Sequence, residues 1–334
     1  QTHSECLRIS SAESTQQSAR ARGGDAPESH SSPRESMLRL ALLLSLSAAQ
    51  AARSFPPPGA PKHWGSPRFG GKSVVVTGGD SGIGLAAVHA FYQECANVMM
   101  VGHNETKTML AARNVTAYPP SKDFCPEAPQ LEWIAVNTAN RTEASLAVSQ
   151  TVKAFGGLDI AVNNAGVAGT STAQIGDADF LDHFDKSLEM SVNVYGTLNC
   201  MNAQLQAFNQ SGKGGVMVNV ASICGESAIC GPAYTTSKFA EIGFSKQAAL
   251  TYAAAGIRIN ILAPGPVDTP MMRGGRSEDD PSWQEDKKKV EAKVPMGRIA
   301  DPWEMAGPIL FLSSDESSFM TGSVVTADGG VLLH

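Results

Sequence analysis

The chain has 334 residues, 42% hydrophobic and 17% charged, which is enough apolar material for one large core. Its formal net charge of -6 excludes the basic footprint of a nucleic-acid binder. The six cysteines (Cys6, Cys95, Cys125, Cys200, Cys224 and Cys230) show no CxxC spacing and no paired framework, so they read as small buried hydrophobes rather than a metal or redox site.

The first 36 residues are polar, without an apolar period, and read as disordered or as sequence upstream of the true start. Residues 37–51 then join a single Arg, an apolar run and an Ala49-Gln50-Ala51 end, the pattern of a cleavable signal peptide. The run is shorter than the ~20 residues of a membrane span, so no stable span is expected. It points to organelle targeting through the secretory route. A Pro-rich stretch, Phe55–Pro61, acts as a linker. Residues 1–68 thus form an extension, and one domain runs over 69–334 without a second linker.

From there short apolar runs alternate with helical stretches. The predicted strands are Ser73–Thr77, Asn97–Val101, Leu131–Val136, Leu158–Val162, Val216–Ala221, Ile257–Leu262 and Val324–Ala327. They lack clean alternation, as expected of strands buried on both faces of a parallel sheet. The predicted helices include Gly84–Glu94, Asp179–Phe208 and Tyr234–Ala255. Such alternation defines an α/β fold: a Rossmann-type, doubly wound, mainly parallel sheet of about seven strands in a single domain. Residues 118–130, rich in proline, form an inserted surface loop.

The first strand runs into Thr77-Gly78-Gly79-Asp80-Ser81-Gly82-Ile83-Gly84 and then a helix. Glycines at such a turn permit tight backbone geometry and close approach of a pyrophosphate. The helix N-terminus adds free N–H groups and a positive dipole end. Tyr234 and Lys238, at i and i+4, share one helix face. A free Tyr, with pKa ~10, is a poor base near neutrality. A neighbouring ammonium favours its phenolate, which fits it for proton exchange with an alcohol or alkoxide. Twelve positions before Tyr234, Ser222 ends a predicted strand where a parallel sheet presents its ligand crevice. Ser227 is the alternative hydroxyl.

The TGxxxGxG turn and the YxxxK pair together resemble the short-chain dehydrogenases/reductases, and the resemblance covers roughly residues 70–333. It implies binding of a nicotinamide dinucleotide cofactor at Gly78, Ser81, Gly82, Ile83 and Gly84. It also implies that Asn164, Ala165 and Gly166 of an NNAG motif shape the cofactor crevice. Asn137 takes the place of an acid that often contacts adenine. Pro264, Gly265, Val267 and Thr269 match the turn that meets the nicotinamide. The resemblance makes Ser222 the substrate-orienting hydroxyl, Tyr234 the proton donor and Lys238 both its tuner and a ribose ligand. Asn193 matches a proton-relay residue, and no metal is required. The loop from Ser222 to Tyr234 is one residue shorter than in many members.

The second strand ends in Gly102-His103-Asn104, without the acid that would bind the ribose hydroxyls of NAD. His103 stands where users of NADP carry Arg, which leans the choice to NADP(H) over NAD(H); Asp80 argues the other way. The chain is therefore expected to be an NAD(P)-dependent oxidoreductase interconverting a secondary alcohol and a ketone. The alternative is a catalytically silent NAD(P)-binding redox sensor. A small carbonyl or alcohol substrate, no nucleic acid, and a homodimer or homotetramer complete the expectation. The segment 270–294, with Met271, Met272, Trp283 and a Gly274-Gly275 hinge, would grip the substrate. Asn104, Asn114, Asn140 and Asn209 match the glycosylation pattern, yet a glycan on Asn104 would block the adenosine site. With unpaired cysteines, this places the mature enzyme in a reducing compartment.

Overall fold

The computed structural model describes residues 67–169 and 173–333. The signal-like segment 37–51 and the linker lie outside the described residues. Among the described residues no helix is long and apolar enough to cross a membrane.

Seven described strands form one fully parallel sheet: β1 (Ser73–Thr77), β2 (Asn97–Gly102), β3 (Leu131–Ala135), β4 (Ile160–Asn163), β5 (Gly215–Val220), β6 (Ile257–Pro264) and β7 (Val324–Ala327). Their order across the sheet is β3-β2-β1-β4-β5-β6-β7. The order in which strands are added therefore reverses between β1 and β4, and the crevice at that switch point lies at the carboxyl ends of the strands. All five residues of β1 are buried, as its Ser-Val-Val-Val-Thr run predicts. Alternate side chains feed two cores. Val74, Val76, Val98 and Met100 pack on one face, and Val75, Met99 and Val101 on the other. β6 is longer than expected, because Ala263 and Pro264 still pair with Thr326 and Ala327 of β7.

The helices that concern the site are α1 (Gly82–Gln93), α2 (Glu105–Thr116), α3 (Arg141–Phe155), α4 (Phe180–Asp185), α5 (Thr197–Ser211), α6 (Pro232–Tyr252), α7 (Pro281–Glu291) and α8 (Pro302–Ser313). Pro232 opens α6, where its missing N–H costs nothing. After a short 3₁₀ turn, Gly256 at φ 73° ends that rod.

Two expectations need correction. The long helix over 179–208 is not continuous. It is α4, then a π-helical segment Glu189–Gly196, then α5. The wider turn lets the Asn193 side chain reach Val167 instead of lying on the helix surface, and π segments recur at functional sites. The cysteines are also paired: Cys95 joins Cys125, and Cys224 joins Cys230, with Cα atoms 5.6 and 5.8 Å apart. Partners 30 residues apart meet because the proline-rich insert doubles back over the end of α1. Among the described cysteines only Cys200 is free, buried as expected. The ground for a reducing compartment taken from unpaired cysteines is thereby removed.

Candidate active site

The glycine turn is shaped by steric necessity. Gly78 and Gly82 have φ of 63° and 52°, a region where side chains are strained. At Gly84 a Cβ would drive into the Gly78 carbonyl and the Asn164 side-chain amide. Asn164 has a structural task of its own here. Its amide donates to the carbonyls of Thr77 and Gly78, both at 3.2 Å. The Thr77 hydroxyl in turn accepts from the backbone N–H groups of Asn164 and Ala165, each at 3.1 Å. The ends of β1 and β4 are thus locked together beneath the start of α1. Gly82 faces Thr269, whose Cγ2 would lie 3.1 Å from a Cβ there, so the turn after β6 closes the same crevice. Val267 is buried in that turn and bridges to Ala300. Gly265 is required by Asp328, whose Cα would stand 2.6 Å from a Cβ.

Residue patterns at the adenosine side are less regular. His103 is exposed at the end of β2. Asn104 caps α2, its side chain accepting from the Lys107 N–H at 2.9 Å. Asn137 is exposed and accepts from the Ala139 N–H at 3.0 Å. Sequence reasoning missed Lys107, whose ammonium donates to Ser81 Oγ at 3.0 Å and to Asp80 Oδ1 at 3.3 Å. Its signal was only an unremarkable helix-surface Lys. A side chain at Gly102 would collide with the Thr108 hydroxyl and approach Asp80 Oδ2 to 3.0 Å, so that position requires glycine.

On the other side of the switch point, Ser222 follows β5 and is buried, its Oγ accepting from the Cys224 N–H at 3.1 Å. Ser227 is half-buried in the same loop. The Cys224–Cys230 bridge spans the loop that joins Ser222 to Tyr234. Tyr234 stands half-buried in the first turn of α6. One turn on, the Lys238 ammonium lies 5.6 Å from the centre of its ring. Asn193 is fully buried and clamped, accepting from the Val167 N–H at 2.8 Å. Its amide donates to the Val167 carbonyl and to Ser237 Oγ, both at 3.0 Å. Ser237 Oγ donates to the Tyr234 carbonyl at 2.8 Å. Gly166 completes the enclosure, since a Cβ there would sit 3.3 Å from Asn193 Oδ1 and 3.6 Å from Lys238 Nζ. The structure therefore gathers Asn193, Gly166, Tyr234 and Lys238 at one place, with Ser222 at the neighbouring strand end.

Burial alone would lower the Lys238 pKa. The charge of Glu241 and then the Tyr234 phenol more than offset that, and Lys238 stands above the ordinary lysine value; burial also lifts the Glu241 carboxyl above the usual carboxylate range, against the pull of Lys238 and Thr197.

The segment after β6 is pinned by Asp268, which accepts from Arg273 Nε at 2.6 Å and Lys287 Nζ at 3.0 Å. Trp283 of α7 is buried, with Arg276 over its ring, so it anchors the segment; Met271 is exposed. Gly274 and Gly275 both hold positive φ, a region that favours glycine. Burial raises the Asp268 carboxyl, but hydrogen bonds and charge from Arg273 and Lys287 outweigh it and hold it below the usual carboxylate range. Its stabilisation is present above the ordinary value of ~3.9 and is lost as pH falls through the lower folded value. Asp268→Asn is expected to cost roughly 1 kcal/mol after solvent screening. In denaturant titrations, the gap between wild type and variant at neutral pH should close in acid; a gap independent of pH would rule this account out.

A parallel sheet with a glycine turn at its switch point and a Tyr/Lys pair beside it defines a dinucleotide-binding α/β protein. Residues 78–332 match the family model described as enoyl-(acyl carrier protein) reductase. The chain is 36% identical over 263 residues to 2,5-dichloro-2,5-cyclohexadiene-1,4-diol dehydrogenase of Sphingobium indicum, covering 78% of this chain and 96% of that protein. It is 32% identical over 268 residues to 3beta-hydroxysteroid dehydrogenase 2 of Eggerthella lenta, covering 79% and 96%. The crystal structure of levodione reductase superposes with a TM-score of 0.70 at 27% identity, covering 79% of this chain and 98% of that one. The chain belongs to the short-chain dehydrogenase/reductase family, and it is an oxidoreductase acting on CH–OH groups. Membership implies NAD(P) binding.

Proposed function

We propose that the protein interconverts a secondary alcohol and a ketone through Ser222, Tyr234 and Lys238, with NADP(H) preferred to NAD(H). The observation that carries the reaction is the buried Lys238 ammonium set 5.6 Å from the Tyr234 ring, with Asn193 clamped alongside. The glycine turn and the amide-locked strand ends fit a dinucleotide by their close backbone approach and the free end of α1. A nicotinamide bound there supplies or accepts the hydride. Ser222 orients the substrate oxygen. Tyr234 gives it a proton in reduction, or takes one in oxidation. Lys238 stabilises the phenolate, and Asn193 holds the wall through which the proton is replenished. This intact set supports catalysis over a silent sensor.

The preference for NADP(H) is supported by the glycine required at position 102, where an acid would otherwise stand, and by the Lys107 ammonium held at Ser81, with His103 exposed nearby. Asp80 orients this ammonium and so serves the cation it accompanies. Exposed Tyr195, Leu198, Phe239 and Leu250 support self-assembly through the faces of the π segment, α5 and α6.

Titration of residues 53–334 with NADPH and NADH, followed by fluorescence, tests the reading. NADPH should bind the more tightly, and binding of neither would refute it. Lys107→Ala should weaken NADPH roughly tenfold or more, the worth of a charge-assisted hydrogen bond, and leave NADH nearly unchanged. Equal losses for both cofactors would remove Lys107 from phosphate reading.

A further inference from the structure

A buried carboxylate stands behind the Tyr/Lys pair. Glu241, also on α6, accepts from Lys238 Nζ at 2.7 Å, with the two side chains only 5% and 3% exposed. The same Lys238 ammonium lies 3.4 Å from the Val220 carbonyl at the end of β5. The other Glu241 oxygen accepts from Thr197 Oγ1 at 3.3 Å, at the start of α5. Charge of this kind is rarely buried unless it is paired, and nothing in the Tyr/Lys chemistry by itself requires it.

We propose that Glu241 is a positioning residue of this site: its carboxylate holds Lys238 as an ammonium and draws it against β5, so that Tyr234 always faces a cation. The inference rests on the Ser-Tyr-Lys reading above. Its physical basis is the cost of an unpaired buried ammonium. A lysine out of water sheds its proton, and buried lysines lose several pH units of basicity. Lys238 is buried on α6, which packs against β6, the π segment and the Ile223–Gly225 turn, with its ammonium at the Val220 carbonyl of β5. Without a counter-charge it would be neutral over much of the working range, and Tyr234 would lose the cation that makes its phenolate accessible. Thr197 matters because it fixes the far oxygen of Glu241, leaving the near one for Lys238.

The other groups around the pair do not substitute for Glu241. On α6 itself the titratable neighbour is Tyr234. The π segment contributes the neutral amide of Asn193 and the buried Glu189, which lies against Gly169. β5 presents the Val220 carbonyl, and the Ile223–Gly225 turn carries Cys224, held in its disulfide. α5 offers the Thr197 hydroxyl and carries the Cys200 thiol, which burial pushes up to about 12 and so keeps uncharged. On β6, Arg258 is committed to carbonyls at the end of α8 and beyond, among them Leu312 and Ser314.

The test needs neither substrate nor cofactor. The chain has five tyrosines, and tyrosinate formation can be followed by ultraviolet difference absorbance. Subtracting the titration of the matching Tyr234→Phe protein isolates Tyr234. In Glu241→Gln, Lys238 should shed its proton, and the Tyr234 midpoint should then rise by at least about 1 pH unit, as loss of the close Lys238 cation requires. Lys238→Met should raise it at least as far. Glu241→Asp keeps the charge but withdraws it by one methylene, so a smaller rise is expected; it decides the matter if the Gln variant fails to fold by circular dichroism. A midpoint unchanged in the Glu241 variants would reduce Glu241 to packing and overturn the proposal. A midpoint that falls would mean Glu241 masks the lysine charge instead, which also overturns it. Turnover by Tyr234→Phe judges the Ser-Tyr-Lys reading separately. If that variant is inactive while the Glu241 variants titrate like wild type, only the Glu241 assignment fails.

Discussion

Tyr234→Phe is expected to lower kcat/KM for any carbonyl substrate by about 10²–10⁴-fold, the range that a positioned general acid contributes. Affinity for the nicotinamide cofactor should stay within a few-fold of wild type. The split follows from the geometry. The phenol sits in the first turn of α6, beside the Lys238 ammonium, whereas the glycine turn and its supporting amide of Asn164 lie just past the ends of β1 and β4. Removing one oxygen atom leaves the ring in place to fill its volume, so neither the fold nor the dinucleotide crevice should change. The measurement is steady-state kinetics alongside a cofactor binding isotherm. A variant that turned over at near wild-type rates would refute the assignment of Tyr234 as proton donor. A variant that lost binding as well would show that the phenol holds the cofactor rather than the substrate oxygen.

The second large effect is expected at Gly84. Gly84→Ala places a methyl group against the Gly78 carbonyl and the Asn164 amide at once. Both are backbone or tightly held groups, so neither can swing away. The Asn164 amide is also what ties β1 to β4. Relief would have to come from displacing the start of α1, and overpacking of this kind costs about 1–3 kcal/mol. Cofactor affinity should fall by at least roughly tenfold, because the N–H groups that would meet the pyrophosphate move with the helix. Thermal denaturation with and without cofactor separates the two losses. If the variant binds cofactor as well as wild type, the close approach seen at this turn is not what shapes the site.

Much of this molecule is legible in its residues alone. Ser-Val-Val-Val-Thr announces a strand buried on both faces, and its burial is complete. Gly78, Gly82 and Gly84 announce a strained, close-packed turn, and positive φ or an obstructed Cβ is found at each. Tyr234 and Lys238 needed only helical periodicity to be placed on one face. These features are local: they depend on φ/ψ preferences, on apolar runs, and on the 3.6-residue repeat, all of which a short window of sequence contains.

Other features are decided by neighbours remote in the chain. The π segment at Glu189–Gly196 exists where the Asn193 side chain bonds to Val167, 26 positions away. No local pattern marks it, and a uniform helix is the natural expectation. Cys95 finds Cys125 only because the insert folds back on α1. Lys107 is an ordinary surface lysine until α2 brings it to Asp80 and Ser81. Glu241 has the same character: at i+3 from Lys238 it reads as a common surface pair, and only the packing of α6 on β6 and the π segment buries it. The sequence by itself determined the sheet, the phosphate-type turn and the chemical identity of the Tyr/Lys pair, because short-range geometry and apolar burial specify them. Only the tertiary structure decided how charged and polar side chains are paired, because desolvation and Coulomb energies depend on which groups from distant segments share the same buried space.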